Sequence, residues 1–333
     1  MTPTPDDARR RHYGLFYSAP EVGASDTVLI ALGNCQAESL RLVVPADAAT
    51  TVRIPPVHEL VADDLPFLAA WLERADAVVA QPIRDGYRGL PLGTRELFAQ
   101  TRPGTRHAVL PVIRFAGLYP RHLIIRPPED PSANPPIVAY HDAGVLAEAA
   151  GLRLPPLTPD AVRAVAAESI AALRSREERH GTVVASDLFA APTFALMRTI
   201  NHPGNPVWAA LGERVLAQLG LPGPAADPGV PLLDSVHAPR DAAVIEAFGL
   251  ADSPLADWVV DGRDVSTGEV RAAHLEWYAA HPGAVAAGLA RHASTLGLLG
   301  LSGLTGLAGS AGLPGVRGLA GSAGQPGARG LAS

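Results

Sequence analysis

Lysine is absent from this 333-residue chain, so all 27 of its basic residues are arginine. That excludes a lysine Schiff base and a Walker-type phosphate loop, both of which need the amine. Phosphate binding would fall to arginine, backbone amides or helix N-termini. Cysteine is nearly absent too. The single Cys35 excludes an intrachain disulfide framework and a cysteine-rich zinc site. No His/Asp/Glu cluster has metal-ligand spacing, and no metal is expected. Charge is sparse, at 18% of residues with a net -6, which leaves no concentrated basic face for nucleic acid. Long apolar runs are missing as well. Residues 1–13 lack the apolar core of a signal peptide, and the longest uncharged stretch, 294–316, contains Pro314 and repeated glycine. No stable membrane insertion is expected, and the cytoplasm is the default location.

Hydrophobic residues make up 47% of the chain, enough for a sizeable core. The run Thr27–Leu32 (TVLIAL) ends at Gly33 and reads as a buried parallel strand. Helical spacing follows over Ala37–Val44. A second unit comprises a strand at Thr51–Ile54, a helix over Asp64–Arg74 and a strand at Ala77–Ala80. A further helix is expected at Thr94–Gln100 and a strand at His107–Phe115. Strands alternating with helices predict an α/β fold with a mostly parallel sheet flanked by helices, of the flavodoxin or SGNH kind. Five prolines mark Arg126–Pro136 as a surface loop or lid. Long helices are expected at Thr158–His180 and Asn205–Leu219, the second capped by Asn205 with Pro206 at its first turn. Two more, near Thr267–Ala279 and Pro282–His292, give the chain a helical C-terminal portion.

Glycine then holds every third position from Gly297 to Gly330. Only glycine fits the axis of a collagen triple helix. Yet Pro314 and Pro326 are the only prolines there, so a disordered, repeat-expanded tail is favoured over a trimerising stalk. The expected organisation is an α/β domain at 24–222, a helical portion at 223–296 and this tail at 297–333. Homo-oligomerisation would run through the tail.

Three loops carry the chemistry. Gly33-Asn34-Cys35-Gln36 joins a strand to a helix, at the strand end where open α/β sheets bind ligands. A cysteine there faces the positive end of a helix dipole, which favours the nucleophilic thiolate. Asn34, Gln36 and the backbone amides are candidate donors to an oxyanion. His202, in Asn201-His202-Pro203-Gly204-Asn205, is a candidate general base. The third loop, Gln81–Arg88, should reach the same sheet edge. Arg84 and Arg88 suit phosphate and Tyr87 suits stacking on a ring, while Arg121 adds a cation at another strand exit. His141-Asp142 and Ser186-Asp187 read as turn or cap residues.

Together, Gly33-Asn34-Cys35-Gln36, the Gln81–Arg88 loop, Tyr119-Pro120, and His202-Pro203 leading into a helix ending Arg214-Val215-Leu216 resemble the WcbI-type polysaccharide-biosynthesis acetyltransferase family. The resemblance covers roughly residues 27–221. It implies binding of coenzyme A or acetyl-CoA as co-substrate and O-acetylation of a sugar in a capsular polysaccharide. Cys35 and His202 fall on the family's motif positions. Partners would then be an acyl-CoA and a glycan acceptor. Two other readings stay open: a thiol-dependent esterase with Cys35 as nucleophile, and a non-catalytic module that binds coenzyme A or glycan.

Overall fold

The computed structural model describes residues 5–18, 20, 23 and 26–301. The expectations for the Gly-X-Y tail beyond Leu301 lie outside the described residues. The first part of the chain forms α1 (Pro5–His12), β1 (Val28–Leu32), α2 (Cys35–Leu42), β2 (Thr50–Thr51), α3 (Leu65–Arg74), β3 (Ala77–Ala80), α4 (Thr94–Ala99) and β4 (Arg106–Val109). The four strands make one parallel sheet in the order β2-β1-β3-β4.

Side chains alternate across this sheet. Val28, Ile30 and Leu32 pack with Leu68, Trp71 and Leu72 of α3 and Leu97 of α4. Leu29 and Ala31 face the opposite layer, which includes Leu40 of α2. Both faces are covered, and that is why the TVLIAL run is apolar without a break. Burying each large aliphatic side chain contributes about 1.5–3 kcal/mol. From β1 the chain steps sideways to β2, then crosses to β3 on the other flank. The carboxyl ends of β1 and β3 therefore border the crevice where strand order reverses.

The second part contains β5 (His122–Leu123), β6 (His141–Asp142), α5 (Ala143–Ala149), α6 (Pro159–His180), β7 (Met197–Thr199), β8 (His202–Pro203) and α7 (Asn205–Leu219). It continues with β9 (Val236–His237), α8 (Ala242–Phe248), β10 (Trp258–Val260), β11 (Arg263–Val265), α9 (Thr267–Ala280), α10 (Pro282–Arg291) and α11 (Ala293–Leu298). Leu211 and Val215 of α7 pack in the same layer as Leu29 and Ala31. Helices α5, α9, α10 and α11 surround a separate apolar cluster. Leu299 and Leu301 are buried in that cluster, so the first residues of the glycine period belong to the packed body.

Five expectations change in detail. The second strand of the sheet pairs only over Thr50–Thr51 rather than Thr51–Ile54. Helix α2 begins at Cys35 rather than Ala37, because Asn34 caps it by accepting from the Gln36 amide. The last strand of the sheet stops at Val109 instead of Phe115. Pro111 has no N–H to donate, and pairing ends after the Leu110 amide donates to Ala80. Gly204, not Asn205, caps α7: a Cβ there would lie 2.1 Å from the Ala195 carbonyl oxygen. Finally, the C-terminal helices share their portion with an antiparallel sheet, β11-β10-β9. Its hairpin turns on Asp261 and Gly262, with φ of 48° and 74°. Among the described residues no helix is long and apolar enough to cross a membrane.

Candidate functional site at the reversal of strand order

Gly33 leaves β1 and meets Gln81, the first residue past β3. A Cβ on Gly33 would sit 2.4 Å from Gln81 Oε1, so only glycine permits this approach. Gln81 uses the same oxygen to accept the Asn34 amide at 2.9 Å. Asn34 spends its own Oδ1 on the Gln36 amide, 2.9 Å away. Its Nδ2 has no partner among the described residues. Cys35 is then the first residue of α2, half-buried and with its thiol free of disulfide.

Gln36 is the clamp of the site. It is buried, and its Nε2 donates to the carbonyls of Ile113 and Asn201, both at 2.9 Å. Its Oε1 accepts the Ile113 amide at 2.9 Å and the Gln81 amide at 3.3 Å. One side chain thereby ties α2 to the segment after β4 and to the turn before His202. Both amide hydrogens are committed to the protein, which makes Gln36 a positioning residue.

The clamp brings His202 to the cysteine's neighbourhood through Tyr140. The Tyr140 hydroxyl donates to Asn201 Oδ1 at 2.7 Å and lies 3.3 Å from His202 Nε2. With that phenol proton spent on Asn201, the oxygen is able to accept from a His202 ring protonated on Nε2. Burial, then the charges of Arg198 and His237, push the His202 pKa down to about 4. The ring is neutral at neutral pH. Tyr140 is shifted upward, by burial first and also by the negative charge Cys35 can carry, so thiol and phenol are within electrostatic reach.

Tyr140 also belongs to a stack of near-parallel rings. Tyr119 lies 5.8 Å from His122, His122 lies 4.7 Å from Trp258, and Trp258 lies 6.2 Å from Tyr140. This stack walls a cavity of about 500 Å³ that is also lined by Arg121, Asp142, Glu148, Arg240 and Arg271. Cys35 and His202 do not line that cavity. Tyr140 touches both places.

The other expected residues are dispersed. Arg84 and Arg88 are exposed on the loop after β3. Arg88 reaches only far enough to help burial lower the pKa of His58, which lies beside Gly33 through the Val57 amide. Tyr87 packs against the apolar layer under α3. Arg121 donates to the Pro155 carbonyl at 2.9 Å. Asn205 bonds the backbone of Val230 and Leu232, tying down the loop after α7. Asp142 caps α5, and Asp187 pairs with Arg214 at 2.7 Å. Among the described residues no group of three or more His, Cys, Asp or Glu could hold a metal.

Tyr140, Trp258 and His58 were missed in the sequence. Nothing in their local spacing marks them, since each reaches the site only through tertiary packing.

The structure is similar to a solved one described as WcbI, a novel polysaccharide biosynthesis enzyme, in a native form without a disulfide bond between coenzyme A and one of its cysteines. That likeness has a TM-score of 0.69 at 17% identity, covering 85% of this chain and 99% of the other. It establishes the shared fold. No curated protein matches the chain. The family profile of the polysaccharide biosynthesis enzyme WcbI, however, matches residues 28–224, from the first residue of β1 to just past α7. The span holds Cys35, Gln36, Tyr140 and His202, and the chain belongs to the WcbI family of polysaccharide biosynthesis enzymes.

Proposed function

We propose that the protein transfers an acetyl group from acetyl-CoA to a hydroxyl of a sugar or polysaccharide precursor, at the site formed by Cys35, Asn34, Tyr140 and His202. The observation that carries this reading is the single cysteine at the first turn of α2, with a neutral, half-buried histidine brought towards it by Tyr140 and Gln36. The similar structure, described as a form lacking a disulfide bond between coenzyme A and a cysteine, supports placing the thiol end of the donor beside Cys35.

In the direct route, His202 takes the acceptor's hydroxyl proton as the oxygen attacks the thioester carbonyl. The C–S bond then breaks, and the leaving thiolate recovers that proton from His202. Asn34 Nδ2 is the donor free to meet the developing oxyanion, a role Gln36 cannot take with both hydrogens spent. In the covalent route Cys35 is acylated first, and His202 serves both half-reactions.

The test is acetyl-CoA-dependent transfer to a panel of sugar acceptors, with calorimetric titration of coenzyme A alongside. Transfer that falls at least 100-fold in His202→Gln and Asn34→Ala supports the reading. A folded protein that neither binds coenzyme A nor transfers acetyl overturns it. Full activity in Cys35→Ser would exclude the covalent route and leave the direct one.

A further inference from the structure

Behind the clamp lies a concentration of positive charge that the proposed chemistry does not use. Arg114 follows Ile113, the residue whose backbone Gln36 holds. Its side chain lines a crevice of about 130 Å³ together with Ser169 of α6, Arg291 at the end of α10, His292 and Thr295. That is the space of roughly four waters, at about 30 Å³ each, and suits one phosphoryl group rather than a nucleoside. The Arg114 guanidinium makes no hydrogen bond or ion pair among the described residues.

The charges acting on Arg114 are all of its own sign. Burial, then Arg176, Arg291 and Arg126, push its pKa down to about 10, and no carboxylate offsets them. Two acids of this region accept hydrogen bonds from other groups. Glu168 accepts from Ser294 and Thr295 at the crevice edge. Glu177 accepts the amides of Ala185 and Ser186 and the Ser186 hydroxyl. Cations gathered with no carboxylate acting on Arg114 favour an anion that completes the set. Guanidinium forks match the paired oxygens of a phosphate.

We propose that this crevice is a phosphate-ester site, in which Arg114 and Arg291 hold a phosphoryl group of the substrate whose reactive end lies at Cys35. This rests on the acyl-CoA reading for the identity of that substrate, though not for the phosphate chemistry. Coenzyme A carries such groups at the end remote from its thiol, and a nucleoside-diphosphate sugar carries them too.

The full chain would be titrated with inorganic pyrophosphate, coenzyme A and UDP-glucose, in the wild type and in Arg114→Gln and Arg291→Gln. Arg291 is exposed, so its variant should fold even where the Arg114 variant does not. The expected result is competition between pyrophosphate and coenzyme A, with affinity for both at least tenfold weaker in Arg114→Gln and several-fold weaker in Arg291→Gln. Arginine-dependent binding of pyrophosphate and UDP-glucose, without binding of coenzyme A, would keep the crevice and overturn the acyl-CoA reading. Coenzyme A binding that neither folded variant weakens, and that pyrophosphate does not displace, would overturn the crevice while leaving acyl transfer intact.

Discussion

Replacing Gln36 by alanine tests whether one buried amide holds the site together. The side chain makes three hydrogen bonds of 2.9 Å to the backbone of Ile113 and Asn201, and takes a longer one from Gln81. Truncation leaves the Ile113 amide and two carbonyls without their partner in a buried place. Each such group costs about 1–3 kcal/mol, and water entering the vacated space recovers part of that. The expected loss is about 3–5 kcal/mol. Gln36→Glu should do no better, since it keeps one acceptor, loses both donors and sets a negative charge against two carbonyl oxygens. Urea unfolding at neutral pH measures both, as a lower midpoint at unchanged slope. A loss below about 1 kcal/mol in Gln36→Ala would show that the clamp is not what joins α2 to the His202 turn.

Gly33→Ala should lower stability by about 1–3 kcal/mol, because the added methyl must displace Gln81, which is buried; a thermal melt reads it. The buried histidines predict acid sensitivity. His122 and His202 are pushed down to about 4 and His141 to about 3, chiefly by burial, so all three stay neutral when folded and would charge near 6.5 when unfolded. The unfolded chain therefore binds more protons as pH falls below about 6.5. Stability should drop towards pH 4 by up to about 1.4 kcal/mol per pH unit for each, and His122→Phe should flatten the curve. If His202 is the base, kcat/KM should hold level from about pH 8 to pH 5, whereas a base near 6.5 would halve it at that pH. A chain ending at Leu301 should keep the full melting temperature. One ending at Leu296 loses the buried Leu299 and Leu301 and should melt several degrees lower, with mass measured alongside to read any oligomer the tail supports.

The parallel sheet was legible because its strands are buried on both faces, leaving TVLIAL and AVVA as unbroken apolar runs. Strand length was less so. The apolar run beyond Val109 lines the core as an irregular segment once Pro111 ends the ladder. The small antiparallel sheet did have a local mark, since Asp261-Gly262 between WVV and RDV is the pair a tight hairpin favours. At the site, the Gly33–Gln36 turn stood out because strand, turn and helix are contiguous. Gln36, Gln81 and His202 stood out as residues, but not the bonds by which Gln36 holds distant backbone. Those bonds span 77 residues from Gln36 to Ile113 and 165 from Gln36 to Asn201, distances over which local pattern carries no information. Arg84 and Arg88 look prominent in a polar loop, whereas Arg114 hides in an apolar stretch.

The ring stack has an optical consequence. An indole lying face to face with an imidazole emits normally while the imidazole is neutral and is quenched once it becomes imidazolium. Trp258 lies 4.7 Å from His122, with the two planes 17° apart. Its emission should stay bright down to the depressed His122 pKa of about 4 and then dim as that ring charges. The chain has four tryptophans, and subtracting the spectrum of Trp258→Phe would isolate this one. Because Trp258 also borders Tyr140 and the large cavity, the same difference signal would brighten or dim as a ligand settles there. The wall of the cavity thus doubles as an intrinsic fluorescent probe of what occupies it.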